Sequence, residues 1–280
     1  MQRSFKIVDV FGERPLSGNP LAVVVDSEGL STEEMLEATR WFGFSETTFL
    51  LPPTTTDADY RVRIFTLAGE LPFAGHPTLG SGHVWRTITG STESEIVQEC
   101  GAGLIDLEVD GDIVSFEAPD LFNDGPVSDD DLADLALVLG IDAGDIVAAR
   151  WVDNGPGWVG ILMDSADAVL DLQPDFTRSP RGGKLDIGVA GMFPEGNEFR
   201  YEVRAFFSGD RGQMLEDPVT GSLNASMAQW LLGDGRVTTP YLARQGTAVG
   251  RTGRIEITGD TSSVWVGGRV FDVVSGQVDL

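Results

Sequence analysis

Three short stretches of this chain recur in the same order further along it. Val25-Asp26-Ser27 returns as Met163-Asp164-Ser165, and Val62-Arg63-Ile64-Phe65 returns as Val203-Arg204-Ala205-Phe206. Gly75 to Trp85 then parallels Thr220 to Trp230. Kept order with a slowly drifting offset is the pattern of a duplicated unit of roughly 140 residues, which is a domain-sized length. A chain of 280 residues holds two such units. The expectation is two pseudo-symmetric lobes, residues 1–125 and 126–280, with the C-terminal strands free to cross over. A cleft between such lobes is where a small-molecule site tends to form.

Periodicity fills in each lobe. Phe5 to Phe11 and Leu21 to Val25 read as strands, parted by the turn-forming loop Arg14-Pro15-Leu16-Ser17-Gly18-Asn19-Pro20. Ser31 with Glu34 three residues on makes a capping box, and Met35, Thr39 and Phe42 follow at helical spacing until Gly43 ends the run. Strand patterning resumes at Thr47 to Leu51, Arg61 to Phe65, Leu104 to Val109 and Ile113 to Phe116. Asp131 to Leu139 reads as a second capped helix, with Leu132, Leu135 and Leu139 on one face. Helices are few and strands many, which predicts a mixed α/β (α+β) fold.

Charge narrows the partners. Lys+Arg 19 against Asp+Glu 44 leaves −25, a field that repels phosphate backbones and anionic lipid, so neither nucleic acid nor a membrane surface is expected. No Lys or Arg lies between Arg86 and Arg150, and that acidic run reads as a solvated face. The single cysteine, Cys100, cannot make an internal disulfide, which suits a reducing compartment. Lys6 and Asp9 interrupt the N-terminus before an apolar signal segment can form, and no stretch approaches the ~18 apolar residues that span a bilayer. A soluble, cytoplasmic protein is expected.

Two turns could do chemistry. In Gly75-His76-Pro77-Thr78-Leu79-Gly80, Pro77 suits a first helical position, which predicts a helix starting there with His76 near its cap. Its counterpart Asp217-Pro218-Val219-Thr220-Gly221-Ser222 feeds a run with Leu223, Met227, Trp230 and Leu231 at helical spacing. A Gly-containing turn at a helix N-terminus offers free N–H groups and the positive end of the helix dipole to an anion. Such local dipoles are how a protein of this net charge could hold a carboxylate; taken singly, each turn is equally an ordinary loop-to-helix junction.

Glu46 stands alone as an acid at the mouth of the strand Thr47-Thr48-Phe49-Leu50-Leu51. Burial there would raise its pKa toward a value useful for proton transfer, whereas a strand-end acid in solvent would do nothing. Asp217 is a candidate catalytic group or a turn residue, and His76 a candidate catalytic group or a cap. His83, seven residues on, is expected to pack. His76 and His83 are two turns apart with no third ligand nearby, so no metal site is expected. A two-base thiol racemase needs two cysteines, and no phosphate-loop or dinucleotide glycine motif joins a strand to a helix, so no cofactor is expected either.

Together these residues resemble the PhzF-like isomerase family named for phenazine biosynthesis, whose members share the diaminopimelate epimerase-like fold. The similar stretches are Asp9-Val10-Phe11 with Gly18-Asn19-Pro20-Leu21-Ala22-Val23-Val24, Ser45-Glu46-Thr47-Thr48-Phe49, Gly69 through Gly80, and Glu216 through Ser222. Gln245-Gly246 through Gly250-Arg251 and Val266-Gly267-Gly268 carry the likeness almost to the C-terminus. The resemblance implies two lobes, each a strongly curved, mainly antiparallel sheet wrapped around a central helix. It implies Glu46 as the acid/base, with His76, Asp217 and Ser222 lining the pocket. With the two turns it makes Asn19, Gly75, Pro77, Thr78, Thr220, Gly221 and Ser222 the expected substrate-binding residues. The activity implied is a cofactor-independent isomerisation of a small carboxylate by a homodimer. Epimerisation or racemisation of an amino or hydroxy acid, and carboxylate binding without turnover, stay open beside it.

Overall fold

The computed structural model describes residues 1–175, 177, 186–208 and 214–280. In chain order its first elements are β1 (Gln2–Val10), β2 (Asn19–Val24), α1 (Thr32–Phe42), β3 (Glu46–Leu51), β4 (Tyr60–Thr66), β5 (Glu70–Leu71), α2 (Gly75–Thr89), β6 (Glu95–Cys100), β7 (Gly103–Asp110) and β8 (Ile113–Glu117). They continue with α3 (Asp129–Leu139), β9 (Ile146–Trp151), β10 (Trp158–Met163), α4 (Ala166–Leu170), β11 (Asp186–Met192), β12 (Phe199–Ser208), β13 (Met214–Asp217), α5 (Gly221–Gly233), β14 (Tyr241–Gln245), β15 (Gly253–Asp260) and β16 (Ser263–Asp279). Contacts divide the chain into Met1–Glu117 with Trp265–Leu280, and Ala118–Val264. The pattern of the sequence alone sets the division at 125/126; in the structure the first unit takes back the C-terminal strand.

The first unit is a ring. Its strands run β1-β2-β3-β4-β6-β7-β8-β16, and β16 pairs antiparallel with β1 to close the circuit. The β2–β3 and β4–β6 pairs are parallel and the other neighbours antiparallel. α2 lies inside, against β1, β2, β3, β4, β6 and β8, and its first ten residues are buried but for His83. α1 packs on the outer face, where Met35 and Ala38 meet Val24, Phe49 and Phe65. Because side chains alternate along a strand, Phe49 on the outside puts Glu46 and Thr48 on the α2 side, and Ser81 of α2 donates to Thr48 Oγ1 at 3.0 Å.

Among the described residues the second unit repeats the plan without closing it. Its order is β9-β10-β11-β12-β14-β15, with β10–β11 and β12–β14 parallel, as β2–β3 and β4–β6 are. Eleven residues of α5 are buried, and Leu223, Met227 and Trp230 among them lie against Gly188 and Gly160 on one face of the sheet. On the other face Leu135, Val138 and Leu139 of α3 join Val159, Ile161, Ile187, Val189 and Phe206 in one core. The repeated motif Val62 to Phe65 and Val203 to Phe206 falls on β4 and β12 as the duplication requires. Each copy clamps the hairpin strand leading to the central helix with one two-pronged ion pair. Arg63 reaches Glu70 at 2.6–2.7 Å while stacking on Phe65, and Arg204 reaches Glu216 at 2.8–2.9 Å while stacking on Phe206.

Local signals explain most element ends. Ser31 and Glu34 form the reciprocal capping box of α1, and Gly43 ends it at φ 75°. Ser128 caps α3, which begins at Asp129, two residues ahead of the expected start. One boundary needs correcting: α2 begins at Gly75, not Pro77, with Ala74 as its N-cap. Pro77 is the third helical residue, and none of the first three N–H groups of a helix has an intrahelical partner, so proline costs nothing there.

Candidate active site

In the first unit the site is built on a loop, a strand end and a helix start. Asp9, buried near the end of β1, accepts hydrogen bonds from the Ser17 and Gly18 N–H groups at 3.0 Å and so pins the loop that delivers Asn19. Asn19 opens β2, and its Nδ2 lies 3.4 Å from His76 Nδ1. An amide N–H can only donate, so Nδ1 is the acceptor and the imidazole proton sits on Nε2. Nε2 in turn faces Glu46 Oε2 at 3.6 Å and has no hydrogen-bond partner among the described residues. The Glu46 side chain is 17 % exposed, and that of His76 4 %. Burial drives the His76 pKa from 6.5 down to about 3, so the ring is neutral at physiological pH.

Asn19, Glu46 and His76 are thus brought together within one unit. Gly75, Pro77 and Thr78 form the first turn of α2 beside them, all buried. That turn has no side-chain cap and no acidic residue, so its N–H groups keep their positive partial charge. Thr78 Oγ1 is held by Nε2 of Gln98, a fully buried residue of β6, at 3.0 Å.

The second unit makes a comparable helix start out of different residues. α5 also lacks a side-chain cap and first-turn acids. The hydroxyl of its N-cap Thr220 donates to Asp217 Oδ2 at 2.6 Å. Gln245, fully buried on β14, spends its whole amide on this turn. Its Oε1 accepts from Thr220 N at 3.0 Å and Asn224 Nδ2 at 2.8 Å, while its Nε2 donates to Thr220 Oγ1 at 2.9 Å and Asp217 O at 3.2 Å. Ser222 Oγ accepts from Trp158 Nε1 at 3.1 Å, which leaves the serine O–H as a donor, and Asn154 Nδ2 holds Ser222 O at 2.8 Å. Asp217, Thr220, Gly221 and Ser222 are therefore neighbours. His83 instead lies 3.5 Å from Asp272 at the rim of the ring, and Cys100 is a free thiol at the end of β6.

Sequence reasoning missed Gln245, Gln98, Trp158 and Asn154. Gln245 was within reach, since it opens one of the stretches that carry the family likeness; the other three gave no local signal. What the arrangement can do is chemically specific. A carboxyl group facing a neutral N–H donor, next to uncapped helix N–H groups, can move a proton on carbon while the donors hold the negative charge that develops.

Comparison with known proteins agrees. The family model described as phenazine biosynthesis-like protein (PhzC-PhzF) matches residues 8–276. Antisense-enhancing sequence 1 of Schizosaccharomyces pombe is 34 % identical, covering 99 % of this chain and 98 % of its own length. Trans-2,3-dihydro-3-hydroxyanthranilate isomerase of Pseudomonas aeruginosa is 32 % identical, covering 90 % and 88 %. Among solved structures, one described as a predicted epimerase from Pseudomonas aeruginosa superposes with a TM-score of 0.80 at 26 % identity, covering 99 % of both chains. Fold, paired helix starts and sequence likeness converge, and the chain belongs to the phenazine biosynthesis-like PhzC-PhzF family of isomerases.

Proposed function

We propose that this protein is a cofactor-independent isomerase that shifts a proton between two carbons of a small carboxylate-bearing metabolite, with Glu46 as the acid/base. The observation that carries this is the Glu46 carboxyl 3.6 Å from the Nε2–H of a buried, neutral His76. Glu46 takes a C–H proton and returns it to another carbon, so that a double bond moves and no atom is gained or lost. His76 orients the substrate through Nε2–H, with Asn19 fixing the tautomer. The first turn of α2, at Gly75, Pro77 and Thr78, supports the developing negative charge, and the start of α5, with Thr220, Gly221 and Ser222, binds a carboxylate. Asp217 orients the substrate by accepting a hydrogen bond. The chemistry in the name of the Pseudomonas aeruginosa relative, an unsaturated amino-hydroxy acid, supports this substrate class.

Epimerisation is the second reading, favoured by the neighbouring structure described as a predicted epimerase; it would leave connectivity unchanged, so product structure separates the two. The reading also carries a cytoplasmic homodimer with no nucleic-acid or membrane partner. Its support is the −25 charge and the finding that no described helix is long and apolar enough to cross a membrane; light scattering checks the dimer. The central test follows deuterium incorporation from heavy water into a panel of unsaturated and amino carboxylic acids. The parent protein incorporates label and Glu46→Gln still binds but does not; undiminished exchange in the variant defeats the assignment.

A further inference from the structure

Each unit brings the head of a strand to the second residue of its central helix, and does so with a loop pinned by an aspartate. In the first unit Asp9, near the end of β1, takes the N–H groups of Ser17 and Gly18 and so sets Asn19, the first residue of β2, against His76, the second residue of α2. In the second unit Asp153, two residues past β9, takes the N–H groups of Gly155 at 2.7 Å and Gly157 at 2.8 Å on one carboxylate oxygen. Gly155 and Gly157 stand at φ 139° and 94°, a turn that glycine makes without strain. The loop so pinned sets Trp158, the first residue of β10, against Ser222, the second residue of α5.

The chemical outcome repeats as well. Asn19 spends an N–H on His76 Nδ1, and the ring proton is left on Nε2. The indole N–H of Trp158 is a donor with no acceptor capacity, so unlike an amide it cannot exchange one role for the other. At 3.1 Å it occupies a lone pair of Ser222 Oγ, which turns the hydroxyl proton away from the indole. Ser222 is 6 % exposed, and no described residue accepts the proton so turned. Buried Asn154, next to the pinning aspartate, holds Ser222 O through Nδ2 at 2.8 Å and so fixes the backbone of the same residue. Trp158 is itself buried, on the α5 side of β10: two residues on, a Cβ on Gly160 would meet Met227 and Trp230 of the helix. What is left to Ser222 is the rotation of its hydroxyl, and the indole restricts it.

We infer that Trp158 is a positioning residue: it presets the Ser222 hydroxyl as a hydrogen-bond donor to the anionic group held at the start of α5, as Asn19 presets the Nε2–H of His76 at the start of α2. The inference rests on the proposal that the start of α5 binds a carboxylate. With the indole in place the hydroxyl meets the ligand already aimed. Phenylalanine there keeps an apolar ring but releases the hydroxyl to rotate, and the ligand then has to order it.

The test is a double-mutant cycle read by calorimetric binding of benzoate, and of its uncharged analogue benzamide, to the parent, Trp158→Phe, Ser222→Ala and the double variant. Deuterium exchange into unsaturated carboxylic acids is followed in parallel. Benzoate affinity is expected to fall by about three- to tenfold in Trp158→Phe, the worth of one hydrogen bond, and benzamide affinity by less. On the Ser222→Ala background the same change adds nothing, because no hydroxyl is left to aim. Benzothienylalanine in place of Trp158, which keeps the bicyclic shape and puts sulfur where the N–H stands, gives the same loss and serves where the phenylalanine variant does not fold. A parent that binds no benzoate, a Trp158 variant that binds it like the parent, or a loss that persists in full without the Ser222 hydroxyl overturns the inference; the last is what a tryptophan that only packs would give. If benzoate affinity depends on the Trp158–Ser222 pair but the parent exchanges no proton, the isomerase reading fails and the positioning role stands. If exchange depends on Glu46 while benzoate affinity is indifferent to Trp158, the reading stands and this inference fails.

Discussion

At the start of α2 His76 has its polar neighbours at long range, 3.4 Å to Asn19 and 3.6 Å to Glu46. At the start of α5 the same structural position is laced by bonds of 2.6–3.2 Å among Asp217, Thr220, Asn224 and Gln245. The two units share strand order, parallel pairs, hairpin ion pairs and an uncapped central helix, so the contrast is not one of fold. It lies in how closely one group at each helix start is held: His76 Nε2 has no hydrogen-bond partner among the described residues, whereas the Thr220 hydroxyl has two. A group that must change protonation during turnover keeps room for a substrate, whereas a group that must only hold is itself held. The duplicated fold thus supplies two similar frames, one open and one braced.

The sharpest way to break this contrast is to neutralise one carboxylate in each frame. Glu46→Gln is expected to lower kcat by roughly 10²- to 10⁴-fold with little change in KM, the range of general acid/base catalysis. Asp217→Asn, which keeps an oxygen facing Thr220, is expected to act on KM by about tenfold. Steady-state kinetics on whichever acid exchanges deuterium reads both. A kcat loss of equal size in Asp217→Asn would make the second frame as reactive as the first.

The bracing itself is tested by one buried glutamine beside each helix start. Gln245→Leu strips four hydrogen bonds from the α5 turn and orphans buried donors at Thr220 and Asn224; Gln98→Leu strips two, from Tyr60 and Thr78. At about 1 kcal/mol per lost bond, and more where a buried donor is stranded, Gln245→Leu should cost about 4 kcal/mol and Gln98→Leu about half of that. Urea unfolding compares them, and equal losses would mean the second frame is no more braced than the first.

These glutamines also show where the sequence stops being legible. Ser31, Glu34 and Gly43 announce α1 because capping is local, and the spacing of Leu132, Leu135 and Leu139 places α3 to within two residues of its start. Glu46, His76, Asp217 and Ser222 are legible because each lies in a short stretch the family likeness covers. Gln98 and Gln245 reach their threonines from strands 20 and 25 residues away in the chain, and Trp158 reaches Ser222 across 64. Only the pairing of strands creates those neighbours, and pairing is not a local property of composition or period. The closure of the first ring by β16 onto β1, which joins the two ends of the chain, is illegible for the same reason.

His76 separates the frames by pH. With its pKa at about 3 in the folded protein and about 6.5 in the unfolded chain, the unfolded state binds the extra proton between those values. Stability from this residue is therefore complete above pH 6.5 and is lost as the pH falls toward 3, at up to about 1.4 kcal/mol per pH unit. His76→Gln should flatten that slope between about pH 6.5 and 4.5 in urea titrations. In the parent, the His76 ring proton resonance should hold still over that range, and movement with an ordinary histidine pKa would mean that the ring is solvated and the open frame misjudged.

The smallest effect concerns the helix starts themselves. α1 and α3 carry serine caps and first-turn acids, Glu33 and Glu34 in one and Asp129, Asp130 and Asp131 in the other, while α2 and α5 carry neither in a chain of −25. Ser31→Ala should cost about 1 kcal/mol, a Tm drop of about 2 °C, and leave turnover unchanged. Ala74→Ser offers α2 the cap it lacks. Its hydroxyl would take up an N–H group otherwise open to ligand, so stability should rise by up to about 1 kcal/mol while affinity for carboxylates falls. Thermal melts and calorimetry on the two variants decide the point: a cap added at Ala74 that stabilises without weakening carboxylate binding would show that the bare start of α2 is not kept for an anion.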